Sequence, residues 1–150
     1  MMLKDYIEMI TGEKCGNSSR EEIYDILDRS PYDFYLSTEA YEMYQCLSGG
    51  ALEFDRFYLS PFFYICSLQE AISTYIRLHE LVESLDRHLF PIVPINEDLR
   101  GIHTIFITGY EQLQEVSSVM RWHEVDGFVE ESPSLTVFIE KWMQNLSRSS

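Results

Sequence analysis

Cationic side chains are scarce in this 150-residue chain: 11 Lys and Arg stand against 25 Asp and Glu, a formal net charge of -14. Those present, Lys4, Lys14, Arg20, Arg29, Arg56 and Arg77 among them, are scattered singly. Nucleic-acid binding needs a concentrated basic footprint, so the scarcity argues against it. It argues equally against docking on an anionic membrane. Cysteine is scarce too. Cys15, Cys46 and Cys66 are widely spaced with no CxxC pair, so neither a zinc site nor a redox motif is indicated. No apolar run approaches the length of a membrane span, and MMLKDYIEMITGE mixes charges into its apolar residues where a signal peptide would have an unbroken core. The expected compartment is the cytoplasm, with the thiols reduced.

Catalytic and cofactor signatures are missing as well. Gly49-Gly50 follows a helical pattern instead of preceding one, so it is not a phosphate loop. There is no HExxH and no GxSxG elbow. The histidines are His79, His88, His103 and His123. His79 and His88 are nine apart and do not share a helical face, and His79 falls within an apolar stripe, the setting of a packed histidine. In VMRWHEVDG, strand alternation sends His123 and Glu124 to opposite faces, and Asp126-Gly127 reads as a turn. These three polar residues therefore mark the solvated end of a strand; a metal site is the weaker reading.

The chain is 45% hydrophobic and 14% aromatic, enough for one globular domain over residues 1–150 with a ring-rich core. Residues 1–17 read as a loosely attached helical segment. Ser18-x-x-Glu21 and Ser19-x-x-Glu22 are capping boxes for a helix that Ser30-Pro31 ends. In LSTEAYEMYQCLSGG, Ser37 is the expected N-cap, Leu36 staples against Tyr41, and Ala40, Met43, Tyr44 and Leu47 form one helical face that the glycines terminate. ALEFDRFYLSPFFYI predicts one or two short strands broken at Pro61. Ser67 opens a long helix reaching Asp86, its buried stripe expected at Leu68, Ala71, Ile72, Tyr75, Ile76, His79, Val82 and Leu85. Three strands follow: LFPIVPI near an edge, IHTIFITG in a central position, and SSVMRWHE with Met120 and Trp122 on one face. A last helix starts at Ser132-Pro133 or Ser134, and residues 147–150 form a frayed tail. Segregated elements of this kind predict α+β, a mostly antiparallel central sheet with helices packed around it.

Four of these pieces, in this order, resemble the SUKH superfamily, the Smi/Knr-type domain of bacterial immunity proteins and fungal cell-wall-synthesis regulators. LSTEAYEMYQCLSGG is similar to the family's aromatic helix ending in glycines. FPIVPINEDLRGIHTIFIT resembles its strand, turn and strand, SSVMRWHEVDG its third strand, and ESPSLTVFIEKWM its closing helix. Ser37, Ser48 and Ser118 stand where the family commonly has proline, asparagine and proline. The resemblance implies the family's α+β fold and a role without catalysis, cofactor or metal. It also implies a protein partner, typically a bacterial toxin neutralised by direct binding in the cytoplasm. Such toxins are often nucleases and basic, and an acidic inhibitor attracts a basic partner. The expected protein is a monomer or weak homodimer that binds neither nucleic acid nor membrane.

The expected contact surface consists of acids and tyrosines in turns and edges: Glu53, Asp55, Tyr58, Glu97, Asp98, Tyr110, Glu130 and Glu131. A regulatory or scaffold module of the same fold is the alternative reading. An enzyme with a dispersed active site is the third, and it predicts a deep pocket of titratable groups.

Overall fold

The structure, a computed structural model, describes residues 3–16, 20–28, 34–48, 55–60, 63–94, 105–123 and 127–148. In chain order the helices are α1 (Leu3–Thr11), α2 (Arg20–Asp28), α3 (Thr38–Leu47), α4 (Leu68–Leu81) and α5 (Leu135–Arg148). The strands are β1 (Phe57–Ser60), β2 (Phe63–Ile65), β3 (Leu89–Pro91), β4 (Ile105–Thr108), β5 (Val119–His123) and β6 (Gly127–Ser132). They form an antiparallel β1-β2 pair and a four-stranded antiparallel sheet in the order β3-β4-β5-β6, an α+β fold.

Local chemistry sets the starts of α3, α4 and α5; Ser18 and Ser19, the expected caps of α2, lie outside the described residues. Ser37 lies in extended backbone and its hydroxyl accepts from the Ala40 amide; Ser67 does the same for Glu70. Each satisfies an amide that the first helical turn leaves without a partner. Ser67→Ala is therefore expected to cost about 1 kcal/mol in urea unfolding. Ser134 serves α5, accepting from the Val137 amide at 3.0 Å. The staple residue Leu36 is fully buried, and its amide donates to the Tyr41 hydroxyl. The helix exit at Gly49-Gly50 lies outside the described residues; Ser48, in extended backbone, is the C-cap of α3.

Strand alternation divides the core. Ile105, Ile107 and Val119 join the main cluster with Leu3, Ile7, Tyr44, Phe90, Leu135 and Ile139. Phe106 points to the other face, where it meets Leu78 and Leu89 with Met120 and Phe128. β4 is thus covered on both sides, as its unbroken apolar run predicts. Pro91 sits on β3, at one edge of the four-stranded sheet, where a residue without an amide proton is tolerated.

Several expectations are corrected. The N-terminal segment is a seated helix, with Leu3, Tyr6 and Ile7 buried against α3 and α5, where a loose segment was predicted. α4 ends at Leu81 with Val82 as its C-cap, short of Asp86. Its buried side includes Thr74 and Leu78, whereas Ile76 is exposed, because the face contacting β3 is rotated from the predicted stripe. GFVEES forms β6, a strand absent from the sequence reading; Gly127, at φ 74, opens it opposite His123. Of the tail expected over residues 147–150, Ser147 and Arg148 are the last residues of α5, and residues 149–150 lie outside the described residues. Of the one or two short strands expected here there are two, and they pair antiparallel, Phe57 opposite Ile65; Pro61 lies outside the described residues.

Candidate interaction surface

Of the eight side chains expected to make contact, the five described ones are divided between the start of the β1-β2 hairpin, the end of β4 and β6. Glu53, Glu97 and Asp98 lie outside the described residues. Asp55 precedes β1 in left-handed backbone, φ 55, which aspartate tolerates better than most residues. Tyr58 is half-exposed on β1, its ring 5.0 Å from Tyr64 and its hydroxyl accepting from Arg56 Nη1 at 3.4 Å. Arg56 also donates to both carboxylate oxygens of Glu70, at 2.8 and 3.1 Å, and stacks over Tyr64. The carboxylate beside it pushes the guanidinium further up from an already high pKa. That arrangement fastens the hairpin to the start of α4. Tyr110 follows β4, and its hydroxyl accepts from Thr108 Oγ1 at 2.7 Å. Glu130 and Glu131 are exposed on β6 rather than in a turn before the last helix, and Glu131 pairs with Arg121. β6 lies at the edge of the four-stranded sheet, where charge also discourages unwanted strand pairing.

The fold assembles something the sequence did not show: a pinned segment over residues 109–118. The Tyr110 and Tyr35 backbones exchange both hydrogen bonds, at 2.8 and 2.9 Å. The carbonyls of Gln114 and Glu115 accept from the Thr38 and Glu39 amides, so the segment caps the open amides of α3. Thr108 donates to Ser118 and Gly109 to His88, closing its two ends. Glu39 joins this segment to α5. Its carboxylate accepts from the Ser117 and Leu135 amides on Oε1, and from the Thr136 amide and hydroxyl on Oε2. An acid in the first turn of a helix reads from sequence as dipole decoration, which is why Glu39 escaped notice. Gly109 is as constrained: a Cβ there would overlap the buried Phe34 ring, itself packed on Tyr75 and His88. Gly109→Ala is expected to lower stability by about 2 kcal/mol, read as a lower urea midpoint at unchanged slope.

His79, His88 and the three cysteines are each held by neighbouring groups. His88 Nε2 lies 2.8 Å from Glu111 Oε1, Nδ1 lies 3.4 Å from Asp86, and Arg87 pairs with the same Glu111. This exposed cluster links the turn before β3 to the pinned segment. His79 stacks on Tyr75 and sits 3.4 Å from the Leu89 carbonyl; burial lowers its pKa. Its neutral form is favoured in the fold, so any stability it adds is present above the ordinary histidine pKa and lost as pH falls. Burial, reinforced by Glu70, pushes the Cys66 thiol up to about 12, which leaves it without nucleophilic character near neutrality. Cys15 and Cys46 are joined in a disulfide with Cα atoms 4.6 Å apart, a correction to the expectation of reduced thiols. Spacing alone could not pair residues 31 apart; α1 and α3 bring them together.

Backbone places His123 at the end of β5 opposite Gly127, and Glu124 and Asp126 lie outside the described residues. No group of three His, Cys, Asp or Glu suited to a metal occurs among the described residues. Ser73, Thr74, Arg77 and Pro94 line a shallow concavity of about 160 Å³, well short of the roughly 300 Å³ at which small-molecule pockets begin. No described helix is long and apolar enough to cross a membrane. Comparison with described protein families, curated proteins and solved structures finds no match for this chain.

Proposed function

We propose that the chain is a non-enzymatic protein-binding domain of the SUKH kind, an immunity protein that neutralises a basic, nuclease-type bacterial toxin by direct binding. The observation that carries the reading is charge. The chain has a net charge of -14, and described arginines are already engaged by acids, Arg56 with Glu70, Arg87 with Glu111 and Arg121 with Glu131. The field outside the molecule is therefore strongly negative, and it steers a cationic partner while repelling polyanions. A nuclease surface shaped for phosphate is one such partner. The α+β frame and the order of its elements support the same reading, in which no cofactor, metal, nucleic acid or membrane takes part.

A cytoplasmic site of action belongs to this proposal. The Cys15–Cys46 pair counts against a fully reducing compartment. Alkylation in denaturant at the moment of lysis, which also exposes Cys66, followed by mass measurement, reads the state of the pair: three labelled thiols place the chain in a reducing environment, and one labelled thiol corrects the proposed location.

The function is tested by pull-down from the source cell with stepwise salt elution. The expected result is one basic protein, released as salt rises, whose nuclease activity falls when the purified chain is added back. Association should slow by about tenfold or more between low and high salt. Recovery of acidic housekeeping proteins that hold at high salt would replace this reading with a regulatory module.

A further inference from the structure

Among the described residues, the exposed large apolar side chains other than Tyr58 of β1 are of two kinds. Met9, Ile76 and Leu81 stand singly on helices, which is ordinary for a soluble surface. Tyr35, Leu113 and Val116 are different: they are 48%, 51% and 49% exposed and lie on two strands of chain bonded to one another. Leu113 and Val116 flank Gln114 and Glu115, whose carbonyls are bonded to the first amides of α3, and Tyr35 pairs with Tyr110 at the start of the same segment. The apolar groups are thus held toward water on a backbone that is already ordered. The entropy of fixing such a segment is spent in folding, so a partner need not supply it on binding.

Resting on the immunity reading, we infer that Leu113 and Val116, with Tyr35 on the backbone paired to the start of the same segment, are the apolar anchors by which this chain docks a basic protein. The occupant is identified by the rim. Glu111 and Glu115 are exposed on the segment itself, and Asp86 is joined to it through His88, which with Arg87 contacts Glu111. A cationic partner with a small apolar notch completes both features, the anchors filling the notch while lysines or arginines meet the acids. A second copy of the chain would bring a like-charged face against this one, which is unfavourable, and an anionic bilayer would be repelled.

The test uses short random displayed peptides as the probe, selected on the full wild-type chain at low salt. Selected peptides should combine Lys or Arg with a leucine or aromatic residue. Their affinity should fall by about thirtyfold or more for the double variant Leu113→Ser with Val116→Ser, and should be unchanged for Leu81→Ser, a control at a 68% exposed site on α4. Because Leu113 and Val116 are about half exposed and their backbone bonds remain, the double variant should melt within about 2 °C of wild type. Peptides that bind wild type and double variant alike, peptides without cationic enrichment, or no enrichment at all would each overturn the assignment. The immunity reading fails separately. A captured toxin indifferent to the double variant removes this surface and leaves the function; peptides dependent on Leu113 and Val116 with no basic partner in the cell leave the surface and remove the function.

Discussion

Replacing Glu39 with alanine is expected to lower the unfolding free energy by about 4 kcal/mol in urea titration. The carboxylate is 6% exposed and holds four donors from two distant stretches: the amides of Ser117, Leu135 and Thr136 and the Thr136 hydroxyl. Hydrogen bonds to a charged acceptor are worth about 1.5–3 kcal/mol each, but their sum is not additive. The larger cost of truncation is what it leaves behind. Ser117 and Leu135 are fully buried, so their amides lose an acceptor that water cannot replace. The positive end of α5 also loses the anion that faces it. Glu39→Gln keeps the shape and one acceptor oxygen but turns an amide group toward donors, and should cost about 2 kcal/mol. Hydrogen exchange separates this account from general weakening. The Ser117, Leu135 and Thr136 amides should lose protection in both variants before the β4 amides do. Unchanged protection at those three positions would show that Glu39 does not hold them.

Reducing the Cys15–Cys46 disulfide is expected to lower the melting temperature by about 10 °C, from a loss of about 3 kcal/mol. The bond joins positions 31 residues apart, and in the chain-entropy account its main effect is to restrict the unfolded ensemble. It also ties α1 to α3 beside a second link, the Gly16 amide donating to the Cys46 carbonyl. Cys15→Ser should match reduced wild type, since Cys15 is only partly buried and a serine there keeps its contact with water. Oxidised protein should take up no alkylating label while native, because the remaining thiol, Cys66, is buried and held in its protonated form. Equal melting of oxidised, reduced and Cys15→Ser protein would show that the packing of Leu3 and Ile7 alone seats α1.

The contrast between α3 and β6 shows why parts of the fold were legible. α3 announces itself within fifteen residues: a serine cap, a repeating apolar face and a double glycine, each acting on its nearest neighbours along the chain. β6 has no such signature. GFVEES carries two adjacent acids and only two apolar residues, and it is a strand because β5 offers it a hydrogen-bonding edge. The α4 stripe shows an intermediate case. Its start was readable from Ser67, but which of Leu78, Ile76 and Thr74 faces inward depends on where β3 lies against it.

The same division runs through the candidate surface. Composition and sequence alone determined the acidic character, the α+β class and the starts of α3 and α4, because net charge sums over residues and caps act within one turn. Only tertiary structure decided that Glu39 reaches α5, that Cys15 meets Cys46, and that Leu113 and Val116 stand on a pinned segment to which Tyr35 is paired. Each of these joins residues far apart in the chain. Their partners are chosen by how helices and strands pack, and no local pattern carries that information.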